Sequence, residues 1–446
     1  MVMQNSVNLK SILSICFIFI LQIGVNKTIH AQLPSPILVG YWHNWNDASA
    51  PYIPLNAVDN RYNVIEISFA VPVSPQDMTM TFTPDNGSVP AFIAQVQALQ
   101  AAGKKVLLSI GGANAFIDLT TTINRDAFIT SMTNLLVTYG FDGIDIDIEH
   151  GNAITITGGT VASPTNVSQQ HLIYAIQQIM QNYRTIFGKK MLLTMAPETA
   201  YVTGGMSAYG GIWGGYLPII NALRDSIDLL HMQLYNSGSM YGIDGVIYTQ
   251  GNADFIVAMT EAVIQGFQTG GGFFQGLPAY KVAVGLPACG NAAGGGFVND
   301  ATVKNAIDYI RGNGPKPGLY TLTNTYPDLR GMMTWSINWD AVSTCESSYN
   351  YAINYELIFG TTTTVSELNA TDYSMQIFPN PSNGNFFIQS KLTTADLIIT
   401  DIAGKIIYTE QQYTDLQQVD ITEPGIYLIQ LRNGSEVLNG KIIITK

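Results

Sequence analysis

The sequence predicts an α/β chain, a (β/α)8 TIM barrel followed by a small C-terminal all-β sandwich domain. Three observations predict it. Between Pro36 and Gly360, eight short apolar runs recur with helical or loop material between them. Beyond Gly360 the texture changes to short alternating segments parted by turn residues. The 446 residues, 47% apolar and 12% charged, are too apolar for a disordered chain. They suffice for one barrel of about 250 residues or more plus an appendage.

The eight runs are Ile37–Trp42, Val64–Val71, Lys105–Ile110, Gly143–Glu149, Met191–Met195, Leu229–Tyr235, Val282–Leu286 and Gly331–Ile337. Helical spacing falls on Ala91–Ala102, Asp126–Tyr139, Ser168–Phe187 and Ala253–Gln268. Strands that alternate with helices in this way argue for a barrel. A doubly wound open sheet would place a glycine-rich phosphate loop after its first strand. Here Tyr41-Trp42-His43-Asn44-Trp45 stands at that point and cannot cradle a pyrophosphate. Barrel active sites lie at the C-terminal ends of the strands, so the chemistry is sought there.

The N-terminus reads as a secretory signal over residues 1–31. Lys10 gives the positive flank, Ile12–Val25 the apolar run, and Ala31 a small residue before a cut at Gln32. An uncleaved anchor is the alternative, but the run is short for a span, and no other long apolar stretch exists. Removal of Cys16 with the signal would leave Cys289 and Cys345, an exported pair that can form one disulfide. Spacing alone does not bring their Cα atoms together. The net charge of −12 becomes −14 without Lys10 and Lys27. That balance excludes a sequence-independent nucleic-acid binder and disfavours an anionic membrane surface. A neutral substrate fits better, and the 10% aromatic content suits either sugar faces or core packing.

The fourth run carries the chemistry. Side chains alternate along a strand, so Asp145, Asp147 and Glu149 share one face and Ile144, Ile146 and Ile148 the other. The apolar face must meet the helices, which puts the acids inside the barrel with Glu149 nearest the mouth. Asp142 has the opposite parity and reads as structural. A solvated edge strand does not fit a run with seven comparable neighbours. A divalent cation fits poorly too, because same-face residues on one strand lie about 7 Å apart. Acid catalysis remains. Crowded carboxyls keep protons near neutral pH, and Glu149 at the mouth could donate one to a glycosidic oxygen.

Asp142-Gly143-x-Asp145-x-Asp147-x-Glu149 resembles the signature of family-18 glycoside hydrolases, the chitinase family. Ser109-Ile110-Gly111-Gly112 matches the second signature. Further matches are Tyr41-Trp42, Ser68-Phe69-Ala70, Met195-Ala196-Pro197-Glu198, Met232-Gln233-Leu234-Tyr235-Asn236 and Met333 to Asp340 around Trp335. The likeness covers about residues 36–360. It implies substrate-assisted hydrolysis of β-1,4 bonds between N-acetylglucosamine units with retention. Glu149 would be acid and then base, Asp147 would hold the acetamido N–H, Asp145 would tune Asp147, and the Tyr235 hydroxyl would hold the acetamido group. Trp335 would floor the reacting sugar. Gln233, Asn236, Tyr41, Phe69, Met195 and Met232 are candidate substrate contacts, although the methionines suit barrel filling. Ser109, Gly111 and Gly112 would set backbone shape near the substrate, and Asp142 and Gly143 belong to the structural part of the motif. Trp42, Trp45, Trp213 and Trp339 read equally as sugar platforms or as packing.

No Cys/His cluster has zinc spacing, and His30, His43, His150, His171 and His231 contain no i, i+4 pair, so no metal or cofactor is expected. The expected partners are chitin or N-acetylglucosamine oligomers. The chain is expected to act as a secreted or surface-attached monomer. Two alternatives remain: an endo-β-N-acetylglucosaminidase on N-glycan cores and an inactive sugar-binding lectin. Glu149 argues against the second. Gly270–Ala293 is too short for a recognisable insertion domain before the eighth strand, which implies a shallow, open cleft and endo cleavage.

Thr361-Thr362-Thr363-Thr364 opens a polar linker over residues 361–371. Residues 372–446 then carry strands at Asn385–Gln389, Leu397–Asp401, Lys405–Thr409, Gly425–Leu431 and Lys441–Thr445, a β-sandwich pattern. Phe378-Pro379-Asn380-Pro381, the Asp401–Lys405 turn, Gly425-Ile426-Tyr427 and the final Lys446 resemble the C-terminal sorting domain of Bacteroidetes type IX secretion cargo. That resemblance implies the type IX machinery as a partner. A carbohydrate-binding module is the alternative, weakened by the lack of an exposed Trp cluster.

Overall fold

The structure, a computed structural model, describes residues 33–360 and 375–445 save 391, 393, 403, 434 and 435. The signal segment 1–31 and the linker 361–371 lie outside the described residues. By contact the chain divides between Gly360 and Thr361.

In the first unit eight parallel strands form the barrel: β1 (Ile37–His43), β2 (Val64–Ser74), β3 (Lys105–Gly111), β4 (Gly143–Asp147), β5 (Leu192–Met195), β6 (Leu229–Leu230), β7 (Ala283–Pro287) and β8 (Gly331–Trp335). They pair in ring order from β7 through β8 and β1 to β6. Two parallel bridges, Leu230 with Val282 and Gln233 with Gly285, close the ring. Closure leaves no free barrel edge for another chain to pair with.

Helices α1 (Val89–Ala101), α2 (Thr122–Tyr139), α3 (Val167–Phe187), α4 (Leu217–Leu223), α5 (Ala253–Gln265) and α6 (Asp300–Arg311) separate the strands. Polar caps start most of them. Ser88, Thr121, Asn166, Asn252 and Asn299 each accept a backbone N–H of the first turn, worth about 1 kcal/mol apiece. Two short helices, α7 (Ile337–Ala341) and α8 (Asn350–Phe359), follow β8.

Alternation along the strands makes two cores. Ile65, Ile67, Leu108, Ile144, Ile146 and Leu193 face the helices. Ile37, Val39, Val64, Leu107, Leu192, Leu229, Ala283 and Met333 fill the lower barrel interior. Cys289 and Cys345 are joined in a disulfide with Cα atoms 5.8 Å apart.

Four runs end two or more residues before their expected limits. The fourth strand stops at Asp147, because Ile148 N donates to the Tyr216 hydroxyl instead of to a strand neighbour. The sixth has only Leu229–Leu230 in continuous ladder, and beyond it Gln233 alone bridges to both neighbours, at Glu198 and Gly285. The eighth ends at Trp335, where Ser336 caps α7 by accepting from Trp339 N. Helix α5 ends at Gln265, and Phe267–Thr269 pairs with Gly272–Phe274 in a hairpin.

The second unit has two antiparallel sheets. One pairs Met375–Phe378, Asn385–Ser390 and Leu416–Asp420. The other orders Ile406–Tyr413, Ala395–Asp401, Gly425–Asn433 and Glu436–Ile444. Phe386, Ile388 and Val419 of the first share a core with Leu397, Ile399, Ile429, Leu431 and Ile442 of the second. Met375–Phe378 and Leu416–Asp420 were not expected as strands.

Candidate active site

The expected parity of β4 holds in space. Ile144, Ile146 and Ile148 join the helix-facing core, and Asp145 and Asp147 are buried on the opposite face. Glu149 follows the strand end, half-buried at the mouth. Asp142 points away from the acids and anchors the start of the strand. Its Oδ2 accepts from Val106 N at 3.1 Å and Gln100 Nε2 at 3.0 Å. Gly143 lets β4 approach β5, since a Cβ there would sit 2.0 Å from the Leu192 carbonyl oxygen.

Asp145 is tied by hydroxyls. Tyr41 and Ser109 each donate to Oδ2 at 2.7 Å, and Thr194 donates to Oδ1 at 2.8 Å. Above it, the Gln233 amide nitrogen donates to Asp147 Oδ1 at 2.8 Å and reaches Glu149 Oε1 at 3.3 Å and the Ala196 carbonyl at 3.0 Å. One amide thus bridges the upper two acids. Among the described residues no Lys or Arg pairs with Asp145, Asp147 or Glu149.

With no cation at hand, burial favours the protonated forms of Asp147 and Glu149. Burial raises Asp147 well above the ordinary carboxylate range, and Glu149 and Asp145 add to the rise. Burial also raises Glu149, while the Gln233 hydrogen bond and His150 pull it back. Glu198, beyond the end of β5, is pushed up to about 7 by burial and then by Glu149. A carboxylic acid kept protonated near neutral pH is what general acid catalysis needs.

The cleft over these acids has a volume of about 540 Å³. Asp147, Glu149, Gln233, Tyr235, Asn236, Phe69, Trp335, Gly111 and Gly112 line it, as do Trp45 and Asn114. Trp335 lies nearly parallel to Phe69, with ring centroids 5.8 Å apart, and Trp45 stacks on His43 at 4.6 Å. Tyr235 is nearly buried, and burial followed by Asp147 and Glu149 raises its hydroxyl, so it stays a neutral donor.

The Ser-x-Gly-Gly stretch works on the protein itself. Ser109 holds Asp145. Gly111, at φ +111°, allows close approach to Asp147, whose carbonyl oxygen a Cβ would meet at 2.4 Å. Gly112 N donates to that same carbonyl at 2.7 Å, and a Cβ on Gly112 would strike the Phe69 ring.

Three candidate substrate contacts are corrected. Met195 and Met232 lie in the helix-facing core, because the inward residues of β5 and of the β6 segment are Thr194, His231, Gln233 and Tyr235. Tyr41 is buried below the cleft and is engaged with Asp145. Of the tryptophans, Trp42 packs in the core with Nε1 donating to the Ile53 carbonyl, whereas Trp45 reaches the cleft.

Sequence reasoning named Glu198 in a motif and His231 among the histidines without giving either a role in the site, and it missed Glu66. Glu198 was visible as an acid just past a barrel strand. Glu66 was visible as a lone charge in the apolar run Val64–Val71. Glu66, Asp145 and His231 bring ligand-type atoms within 4.8 Å of one another, all buried. Asp145, however, already spends both oxygens on three hydroxyl donors, which marks a hydrogen-bonded layer and not a cation site.

A carboxyl ladder rising to the mouth of a closed β/α barrel, roofed by aromatic walls, defines a barrel glycoside hydrolase. Residues 37–373 match Glycosyl hydrolases family 18, and the chain belongs to that family. Residues 376–445 match a Secretion system C-terminal sorting domain. The chain is 46% identical over 311 residues to a chitinase of Paenibacillus xylanexedens, covering 68% of this chain and 58% of that protein. It is 35% identical over 368 residues to a chitinase of Flavobacterium johnsoniae, covering 79% of this chain and 23% of that protein. The chain therefore spans well under two thirds of these relatives' lengths. The crystal structure of a family-18 chitinase from Chromobacterium violaceum superposes with a TM-score of 0.66 at 35% identity, covering 74% of this chain and 85% of that one.

Proposed function

We propose that this chain is a secreted chitinase that cleaves β-1,4 bonds between N-acetylglucosamine units with retention, by substrate-assisted catalysis. The observation that carries the reading is the Gln233 amide joining Asp147 to Glu149 beneath a Trp335-walled cleft. In this scheme the substrate's acetamido carbonyl attacks C1 while Glu149 protonates the leaving oxygen. Asp147 accepts the acetamido N–H and balances the positive ring that forms, held in place by Gln233. Tyr235 donates to the acetamido oxygen, and Trp335 with Phe69 packs against the sugar's C–H face. Glu149 then takes a proton from the water that opens the ring on the same face, giving net retention.

Only the loop 288–299 separates β7 from α6, which supports an open cleft and endo cleavage. The sorting domain supports export through type IX machinery, with residues 1–31 as the signal and the barrel acting as a monomer. No helix among the described residues is long and apolar enough to cross a membrane.

Incubation with chitin oligomers and, separately, with a high-mannose glycoprotein tests the substrate. Release of short N-acetylglucosamine oligomers from the first is expected, and cleavage of the glycoprotein alone would assign the activity to N-glycan cores. NMR of fresh product should show the β-anomer first; initial α-anomer would exclude substrate assistance.

A further inference from the structure

Glu66 is a glutamate where a barrel strand should be apolar. It sits on β2 in register with Tyr41 of β1 and Leu107 of β3, and it is fully buried. It shares the parity of Val64, so its side chain enters the barrel interior. The titratable groups facing it are Tyr41 of β1, Asp145 of β4 and His231 just past β6. Beside them, β3 and β5 supply Leu107 and Thr194, and β7 and β8 supply Ala283 and Met333. Burial keeps His231 neutral. The buried cations are elsewhere, Lys104 on the Asn60 and Tyr62 carbonyls and Arg330 on those of Leu33 and Pro34.

The hydrogen-bond accounting is tight. The Thr194 hydroxyl lies 2.8 Å from Asp145 Oδ1 and 3.2 Å from Glu66 Oε1, and it has one hydrogen. Were both acids ionised, that hydrogen could serve only one. Glu66 would then be a buried anion with no hydrogen bond of its own: its Oε2 has no partner among the protein atoms, and both His231 ring nitrogens stay unpaired, Nε2 standing 3.5 Å from Asp145 Oδ1. A bare buried charge costs several kcal/mol. With a proton on Glu66 the chain closes: Glu66 donates to Thr194, and Thr194 donates to Asp145. Asp145, with three hydroxyl donors, is the better place for the charge. The direction of titration agrees, because burial and then Asp145 raise Glu66 well above the ordinary range.

We propose that Glu66 is a positioning residue: held as the neutral acid, it donates through Thr194 to Asp145 and so fixes the negative charge beneath Asp147. The activity arm of its test rests on the hydrolase reading above; the spectroscopic arm does not.

Three measurements decide it, all on the full chain. In the infrared spectrum at mildly alkaline pH, a protonated-carboxyl C=O band should be lost in Glu66→Gln. A spectrum identical to the parent's would overturn the proposal whether or not the protein hydrolyses chitin oligomers. In turnover, Glu66→Leu removes the donor and should lower kcat about tenfold or more, with KM little changed. Its acid limb should move to higher pH, because the hydroxyl network beneath Asp147 loses its neutral donor. Glu66→Gln supplies an N–H donor of the same shape and should rescue both. If Glu66 were an anion, Glu66→Gln would instead remove a negative charge and move the acid limb to lower pH, which overturns the proposal. So would a Glu66→Leu profile that keeps its pH limbs and loses only thermal stability, the mark of mere packing. The relay variant Thr194→Val should reproduce the shift of Glu66→Leu and resist rescue by Glu66→Gln.

Discussion

The two units of this chain bury different things. The sandwich core is Phe386, Ile388, Leu397, Ile399, Ile429, Leu431 and Ile442, closed by Tyr413 and Tyr427. Among its described residues no carboxylate, lysine, arginine or histidine is buried. The barrel buries Glu66, Asp145, Asp147 and His231 at the level where its apolar lower interior gives way to the cleft. Apolar burial stabilises at roughly 25 cal/mol per Å², whereas a buried acid must be hydrogen-bonded or protonated to be tolerated. The sandwich is therefore built for stability with any recognition left to its surface. The barrel accepts a locally unfavourable interior in exchange for protons poised near neutral pH.

The largest test of that contrast is Glu149→Gln. The amide keeps the shape and cannot donate the leaving-group proton, so turnover on chitin oligomers should fall by about 10²–10⁴. Oligosaccharide binding and thermal stability should stay near those of the parent. A variant within about tenfold of the parent would place the proton donor elsewhere.

Next in size is Gln233→Met, which fills the space without the amide. Leaving a buried acceptor without its donor costs about 1–3 kcal/mol, so kcat should fall about 5- to 100-fold. The loss should appear in kcat more than in KM, because the bridge holds Asp147 and Glu149 in register for the reaction. An equal loss in Gln233→Glu would point to sterics, since that variant adds a fourth acid to the stack and should be the more damaging.

The acid ladder was legible because one strand carries it and alternation alone sorts its faces. The same counting was available on the segment after β6, where Tyr235 inward requires Gln233 and His231 inward and Met232 outward. The methionines were misassigned because sequence motif outweighed parity. Tyr41 needed the third dimension. Only the inter-strand register, Tyr41 opposite Glu66 and Ser109 opposite Asp145, puts it in the layer below the cleft. The missed sandwich strands are explained by composition. Leu416–Asp420 is mostly polar with one buried residue, Val419, and Met375–Phe378 is too short to show its period. The short helices α4, α7 and α8 have the same difficulty.

A smaller effect is expected from Glu198→Gln, and its sign can be worked out. The folded pKa of Glu198 is about 7 against an ordinary 4.5. Below the ordinary value both states are protonated and the residue is neutral to stability. As pH rises through the window from about 4.5 to about 7, the unfolded state ionises first and the folded barrel loses stability. The variant should therefore match the parent's melting temperature at the acid end and exceed it near neutrality. The sandwich transition in the same calorimetric scan should not respond. In Glu149→Gln, the Glu198 carboxyl should titrate below its parent value by NMR, because the Glu149 charge that helps to raise it is gone.

The smallest expected effect is also the sharpest test of the division itself. Ending the chain at Gly360 removes the whole sandwich and no residue of the candidate active site. The barrel ring is closed by its own pairing, Leu230 with Val282 and Gln233 with Gly285, so it should fold without further strands. Turnover on soluble chitin oligomers by the purified short chain should be unchanged within error, as should its dependence on pH. In the native host, with residues 1–31 retained, the short chain should accumulate in the cell envelope while the full chain reaches the medium or the cell surface. Normal secretion combined with a loss of activity confined to insoluble chitin would make the sandwich a binding module instead of an export address. Loss of activity on soluble oligomers would show that the barrel depends on the sandwich, and the contrast between a poised interior and an independent, uncharged one would then have to be abandoned.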